Sequence, residues 1–272
     1  MTTVGRRAIA ALLLAVVAAA LAHGPLPEQI DAVTAEIAQD PSAAPLYLRR
    51  GELHRIHEDW DAALADYERA AALAPADDTV DFLRGRALLE AGRPAPARVA
   101  LDRYLARHPD HAEALITRAR TLRALGQFRV AAADYTRAIE RLPRPDPDHY
   151  LERARTELAA REIRRALAGL DAGIARLGPV PALQMFAIEL ELKQGRVDAA
   201  LVRLDKAAAQ SPRKETWLAR RGEILMHAGR RNEARSAYAA ALAAIEALPA
   251  SARQTKAIVD LEGRVRSALA RR

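Results

Sequence analysis

The 272-residue chain has no cysteine, which excludes disulfides, thiolate metal ligands, cysteine nucleophiles and the lipid-modified cysteine of a lipoprotein. Aromatics are scarce, with three Phe, two Trp and six Tyr, so a stacking platform for single-stranded nucleic acid has little to be built from. There is no long run of one charge. The 42 Lys and Arg residues are interleaved with 35 Asp and Glu, for a net charge of +7, which reads as solvated helix faces with a mild preference for acidic partners. No Gly-rich phosphate loop, nucleophile elbow, zinc-protease helix motif or calcium loop is present. His54 and His57 could share a helix face, but His54 falls in a core slot and reads as a packed histidine. The chain is therefore not expected to be an enzyme, and no cofactor, metal site or nucleic-acid partner is expected.

What the sequence does have is alanine and leucine. Half of the residues are hydrophobic, and the predominance of Ala, Leu, Arg and Glu favours helix over strand. At the amino end Arg6 and Arg7 precede an uninterrupted apolar run from Ala8 to Leu21, closed by the small residues Ala20 and Ala22. This is the order of a secretory signal peptide over residues 1–22, with cleavage near Ala22 and an exported, periplasmic or secreted product. The run is shorter than the roughly twenty residues a membrane-spanning helix needs, so no span is expected in the mature chain; the alternative is a retained amino-terminal membrane anchor.

Pro41, Pro75, Pro109 and Pro143 recur every thirty-four residues. The same register superposes Gly51 on Gly85 and Ala119, Gly92 on Gly126, and Ala63 on Ala97 and Ala131. One extra residue enters near Arg144 to Pro147, after which the ladder resumes with Ala154, Ala166, Gly195, Ala200, Pro212, Gly222, Gly229 and Ala234. Six two-helix units follow, at 44–77, 78–111, 112–146, 147–180, 181–214 and 215–248. Gly or Ala at the eighth position of a unit and Ala at the twentieth let its two helices approach toward the short end of the usual ~8–10 Å spacing. The spacing predicts an amino-terminal capping helix over 26–41, through Ile30, Val33 and Ile37. It predicts a carboxy-terminal one over 251–270, with Ile258, Leu261, Val265 and Leu269 on one stripe.

These positions resemble the tetratricopeptide repeat family, whose pattern runs large at four, small at eight, large at eleven, Gly at fifteen, Ala at twenty, aromatic at twenty-four, Ala at twenty-seven and Pro at thirty-two. The likeness covers residues 44–248. Tyr104 and Gly173 depart from it at position twenty-seven, Arg161 at the turn glycine and Ile188 at position eight. The resemblance implies an all-α, right-handed superhelical solenoid of about six helix-turn-helix units, acting as a non-catalytic scaffold that binds a protein or peptide.

Position seven, usually apolar in that family, holds Arg50, Arg84, Arg118, Arg153 and Arg221. Asp66 and Asp134 lie sixteen residues after Arg50 and Arg118, where antiparallel helices would join them as structural ion pairs. In the family the first helices line the concave side, and their second, fifth, ninth and twelfth positions face a groove. The ninth positions here are Glu52, Arg86, Arg120, Arg155, Glu189 and Glu223, with Phe82, Leu89, Ile116, Arg123 and Leu151 beside the arginines. The planar fork of Arg suits carboxylates, so an acidic protein or peptide is the expected groove ligand. The Asn and Lys clamp of chaperone-binding members is not implied, because the one asparagine is Asn232. A second reading is a structural subunit of an envelope complex that assembles through convex or cap surfaces. A helical-repeat nucleic-acid binder is disfavoured by the aromatic shortage and the mixed charge.

Overall fold

The computed structural model describes residues 25–270, and every regular element among them is a helix. The expected signal peptide at 1–22 lies outside the described residues. The chain divides after Pro143 into two compact units, at the point where the extra residue enters the repeat.

The first unit opens with α1 (Leu26–Gln39) and continues as three antiparallel hairpins. These are α2 (Ala44–Ile56) with α3 (Trp60–Leu73), α4 (Thr79–Glu90) with α5 (Pro94–Arg107), and α6 (Ala112–Ala124) with α7 (Phe128–Arg141). The second unit holds α8 (Pro147–Ala159) with α9 (Ile163–Leu177), α10 (Pro181–Lys193) with α11 (Val197–Gln210), and α12 (Glu215–His227) with α13 (Arg231–Glu246). It ends in the one-turn α14 (Ala250–Arg253) and α15 (Lys256–Ala270). Each unit is thus a run of stacked helix hairpins, the solenoid arrangement in which a helix face left bare by one hairpin is covered by the next. The continuous cap expected over 251–270 is a correction: the helix breaks at Gln254 and Thr255. There the Thr255 hydroxyl donates to Ala252 O at 2.8 Å, and Thr255 O instead accepts from Ile258 N and Val259 N at 3.0 Å, starting a new helix.

The first two hairpins close where one helix carries no side chain. A Cβ on Gly51 would stand 2.7 Å from Tyr67 Cε1 and 3.3 Å from Ala63 O, and one on Gly85 would stand 2.6 Å from Leu101 Cγ. Both lie below normal van der Waals separation, so these sites admit glycine only if the hairpin is to keep its spacing. Ala63, Ala97 and Ala131 on the facing helices are fully buried. The turn between the helices requires a left-handed residue, which is Gly126 at φ 73° in the third hairpin but Glu58 at φ 63° and Arg161 at φ 61° in the first and fourth. The turn is otherwise the same: Asp59 N donates to His54 O at 2.9 Å, as Gln127 N does to Leu122 O at 2.8 Å. An L residue in this conformation costs about 1–2 kcal/mol.

Arginine rungs tie the helices together. Arg50 reaches Asp66 through Nη2 and Nε at 2.7 and 2.9 Å. Arg118 makes the same fork to Asp134 at 2.8 and 2.7 Å, and its Nη1 donates to Asp102 Oδ1, on the preceding hairpin, at 3.0 Å. The hydrogen bond to its aspartate is what chiefly raises each guanidinium above the ordinary arginine pKa. Asp134 is buried, with a side chain 4% exposed, and the fork supplies the partner that its burial demands. Arg84 bonds Glu68 at 3.1 Å and Arg221 bonds Asp205 at 2.6 Å, both on the hairpin before. Arg153 is different. It is only 8% exposed, and Gly169 stands where the first and third units have Asp66 and Asp134. Its guanidinium settles against Gly169 and 5.5 Å from the Tyr150 ring centroid, with Nε and Nη2 buried and making no hydrogen bond.

Two stability predictions follow from this packing. In urea denaturation, Arg118→Ala and Asp134→Ala should each cost about 2–3 kcal/mol, and the double variant should lose about 1–2 kcal/mol less than their sum; strictly additive losses would show that the fork contributes no coupling. Arg161→Gly should raise stability by about 1 kcal/mol through relief of the left-handed turn, visible as a higher Tm, and a lowered Tm would contradict the turn assignment.

Candidate functional site

In the first unit the ninth-position residues Glu52, Arg86 and Arg120 fall on consecutive first helices, α2, α4 and α6. Glu52 is buried and is the centre of a polar cluster. It accepts from the Tyr67 hydroxyl, from Arg86 Nη2 and, at 3.4 Å, from Arg55 Nε; Arg55 continues to Glu90 at 2.7 Å. Burial and the adjacent Glu52 carboxylate push the Tyr67 hydroxyl far above the ordinary phenol range, so it stays protonated and donates. Arg86 therefore does not project toward a ligand, as its position predicts; it neutralises a buried carboxylate one hairpin away. Its guanidinium also lies 5.6 Å from the Phe82 ring centroid.

Phe82 and Ile116, expected to line a groove, are core residues at 3% and 6% exposure. The physical reason is the seam between successive hairpins. Phe82 stacks on Tyr104 with ring centroids 5.4 Å apart and meets the edge of His111, at the start of α6, at 5.2 Å. Leu89 is half-buried, and Arg123 is half-buried with Nη1 directed at the Tyr135 hydroxyl, 3.5 Å away. Arg120 is exposed. It and Arg123 are the members of the expected cationic stripe in this unit that reach solvent.

In the second unit Leu151 is likewise taken into the core, at 7% exposure. Arg155 is exposed on α8, with its guanidinium 5.9 Å from the centroid of the Phe186 ring on α10. A planar cation resting on an aromatic ring is held in orientation while its edge stays open to a carboxylate. Further along, α10, α12 and α15 border an open cavity of about 410 Å³. Met185, Trp217 and Leu261 supply its apolar wall, and Arg213, Arg220, Arg264 and Glu223 its polar edge. The volume lies in the ~300–1,000 Å³ range of small-ligand and side-chain pockets.

The sequence does not announce this cavity, because the carboxy-terminal helix reads as a cap on the repeats and not as a wall. What signal there is lies in the register: Met185 and Ala219 occupy the fifth position of the last two units, and Thr216, also lining the cavity, the second. Among the described residues no group of three or more His, Asp or Glu could hold a metal, and no helix is long and apolar enough to cross a membrane.

Structural and exposed arginines should separate on stability. Arg86→Ala leaves Glu52 buried with fewer partners and should cost about 1–3 kcal/mol. Arg155→Ala removes an exposed group and should cost no more than about 0.5 kcal/mol. Equal urea midpoints for the two variants would contradict the assignment of Arg86 to the fold.

Residues 55–120 match the family described as tetratricopeptide repeat, and residues 148–260 match the tetratricopeptide repeat-like domain, together well over half of the chain. No curated protein matches the chain in sequence. A tetratricopeptide repeat protein from Parabacteroides merdae is similar in structure over 94% of this chain and 97% of its own, at 17% identity and a TM-score of 0.55. MamA from Desulfovibrio magneticus RS-1 is similar over 64% of this chain and 90% of its own, at 14% identity and a TM-score of 0.52. The Cut9–Hcn1 hetero-tetramer of the APC/C contains a chain similar over 76% of this one and 40% of its own, at 14% identity and a TM-score of 0.52. At these identities the likeness is one of fold. A thirty-four-residue register realised as stacked hairpins, and matched separately in each of the two units, makes the chain a member of the tetratricopeptide repeat family.

Proposed function

We propose that this protein is a non-catalytic scaffold of a bacterial-type cell envelope that holds a protein or peptide partner on the exposed face of its first helices. One observation carries the reading. Arg155 stands exposed with its guanidinium on the Phe186 ring, a pairing on a face that the hairpin does not use for its own packing and that suits an acidic side chain. In the first unit Arg120 is an exposed arginine at the same repeat position. Export rests on Arg6 and Arg7 followed by the apolar run Ala8 to Leu21, which together have the form of a secretory signal.

The test is cross-linking in the native host, with mass spectrometry of captured proteins, for the wild type and for Arg120→Glu and Arg155→Glu. Charge reversal at a docking face should reduce recovery of the specific partner about tenfold at either site that contacts it. Unchanged capture by both variants would remove the first-helix face from the proposal. Fractionation of the same cells reads location: a mature product beginning near His23 in the envelope or medium is expected, and a full-length cytosolic product would overturn export.

A further inference from the structure

The cavity between α10, α12 and α15 has a chemistry of its own, distinct from the exposed arginines. Its wall is apolar and its edge is cationic. Met185 comes from α10, Trp217 from α12 and Leu261 from α15, so three separate helices meet around one space of about 410 Å³. Leu261 and Trp217 are almost wholly buried, which fixes the wall in place, while Met185 is half-buried and adjustable.

The arginines at the edge are not equally committed. Arg213 bonds the buried Glu215 at 2.7 Å, and Arg220 bonds Glu223 at 2.8 Å while its Nε is buried and makes no hydrogen bond. Arg264 is exposed on α15 and has no ion-pair partner among the described residues. Three guanidinium groups thus share the edge with one lining carboxylate, Glu223. The excess positive charge asks for a negative group, and the apolar wall asks for a large hydrophobic one beside it.

We propose that this cavity is a docking site for an extended peptide segment of a partner protein, which seats one large apolar side chain against Met185, Trp217 and Leu261 and places a neighbouring acidic side chain on Arg264. Shape selects the anchor and charge selects its flank, the usual division between a buried hot spot and its polar rim. A helix that caps the repeat thereby also completes a binding site, because without α15 the cavity loses one wall and its uncommitted cation. The proposal rests on the reading of the chain as an interaction scaffold, but it places recognition at the carboxy-terminal end, away from Arg155.

The probe is an array of short serine- and glycine-based peptides whose central residue is phenylalanine, leucine, alanine or lysine and whose two flanking residues are aspartate, serine or lysine. Binding of the best peptide is then followed by the emission of Trp217 in a Trp60→Phe background, since these are the two tryptophans of the chain. The phenylalanine or leucine peptides with aspartate flanks should bind best, should shift the Trp217 emission, and should lose affinity about tenfold when the anchor becomes alanine or the protein carries Arg264→Glu. Arg264 is exposed and Met185 half-buried, so Arg264→Glu and Met185→Ala keep the fold, and their Tm checks this. Array signals indifferent to the central residue, a preference for lysine flanks, or an affinity unchanged in both variants would overturn the proposal. If it fails while partner capture still depends on Arg120 or Arg155, the scaffold reading stands and the cavity is not its site; if both fail, the scaffold reading falls too.

Discussion

The two helices of a hairpin interlock around the eighth position of the unit, which is glycine or alanine in five of the six hairpins. Gly51 against Tyr67, Gly85 against Leu101 and Gly222 against Tyr238 are three instances of that interlock, each with less than normal contact distance left for a Cβ. The close approach of the two helices brings Arg50 and Arg118 within reach of carboxylates on the partner helix and sets which face of the first helix remains for other uses. One hairpin has no small residue at the eighth position at all. The fifth hairpin has Ile188 at position eight and Leu204 in place of tyrosine at position twenty-four, and both are buried.

Backbone requirements were the legible part of this sequence. Proline ends a helix, glycine turns it and a small residue lets another helix close, and each acts through its own chemistry wherever it stands. The Arg50 to Asp66 spacing was readable for a related reason, since two antiparallel helices of known length fix which residues face each other. The fates of Phe82, Ile116 and Leu151 were not readable in the same way. Whether a fifth-position side chain faces solvent or the next hairpin depends on how closely successive hairpins stack, which no single unit encodes. Arg86 was misplaced for the same reason: its partner Glu52 lies a full repeat earlier, and a cation seen alone looks available.

The cavity adds a third kind of information. Its wall comes from two repeats and the terminal helix, and only the docked cap reveals that a stripe used for packing also borders open space. The cap itself broke where Thr255 offered its own hydroxyl and carbonyl to the backbone, a local competition that apolar periodicity does not register. Arg153 makes a similar point from the core. Its register position is that of the other rung arginines, yet Gly169 gives it nothing to bond, and an aromatic face takes the place of a carboxylate.

The rungs of the first unit do not all stay within one hairpin. Arg118 holds Asp134 beside it and Asp102 behind it, Arg84 holds Glu68 behind it, and Arg50 holds Asp66 beside it and the Thr34 hydroxyl behind it. Peeling a hairpin from its neighbour therefore separates charges as well as uncovering apolar surface, and it does so at every joint. A repeat array can melt stepwise from its ends when the nearest-neighbour coupling is weak. Here each joint carries an electrostatic term added to the packing one, which raises the cost of a partly frayed array relative to one fully folded or fully open. The consequence is cooperative behaviour: the first unit would lose its hairpins together, and amide exchange along it would report one opening energy in place of a gradient.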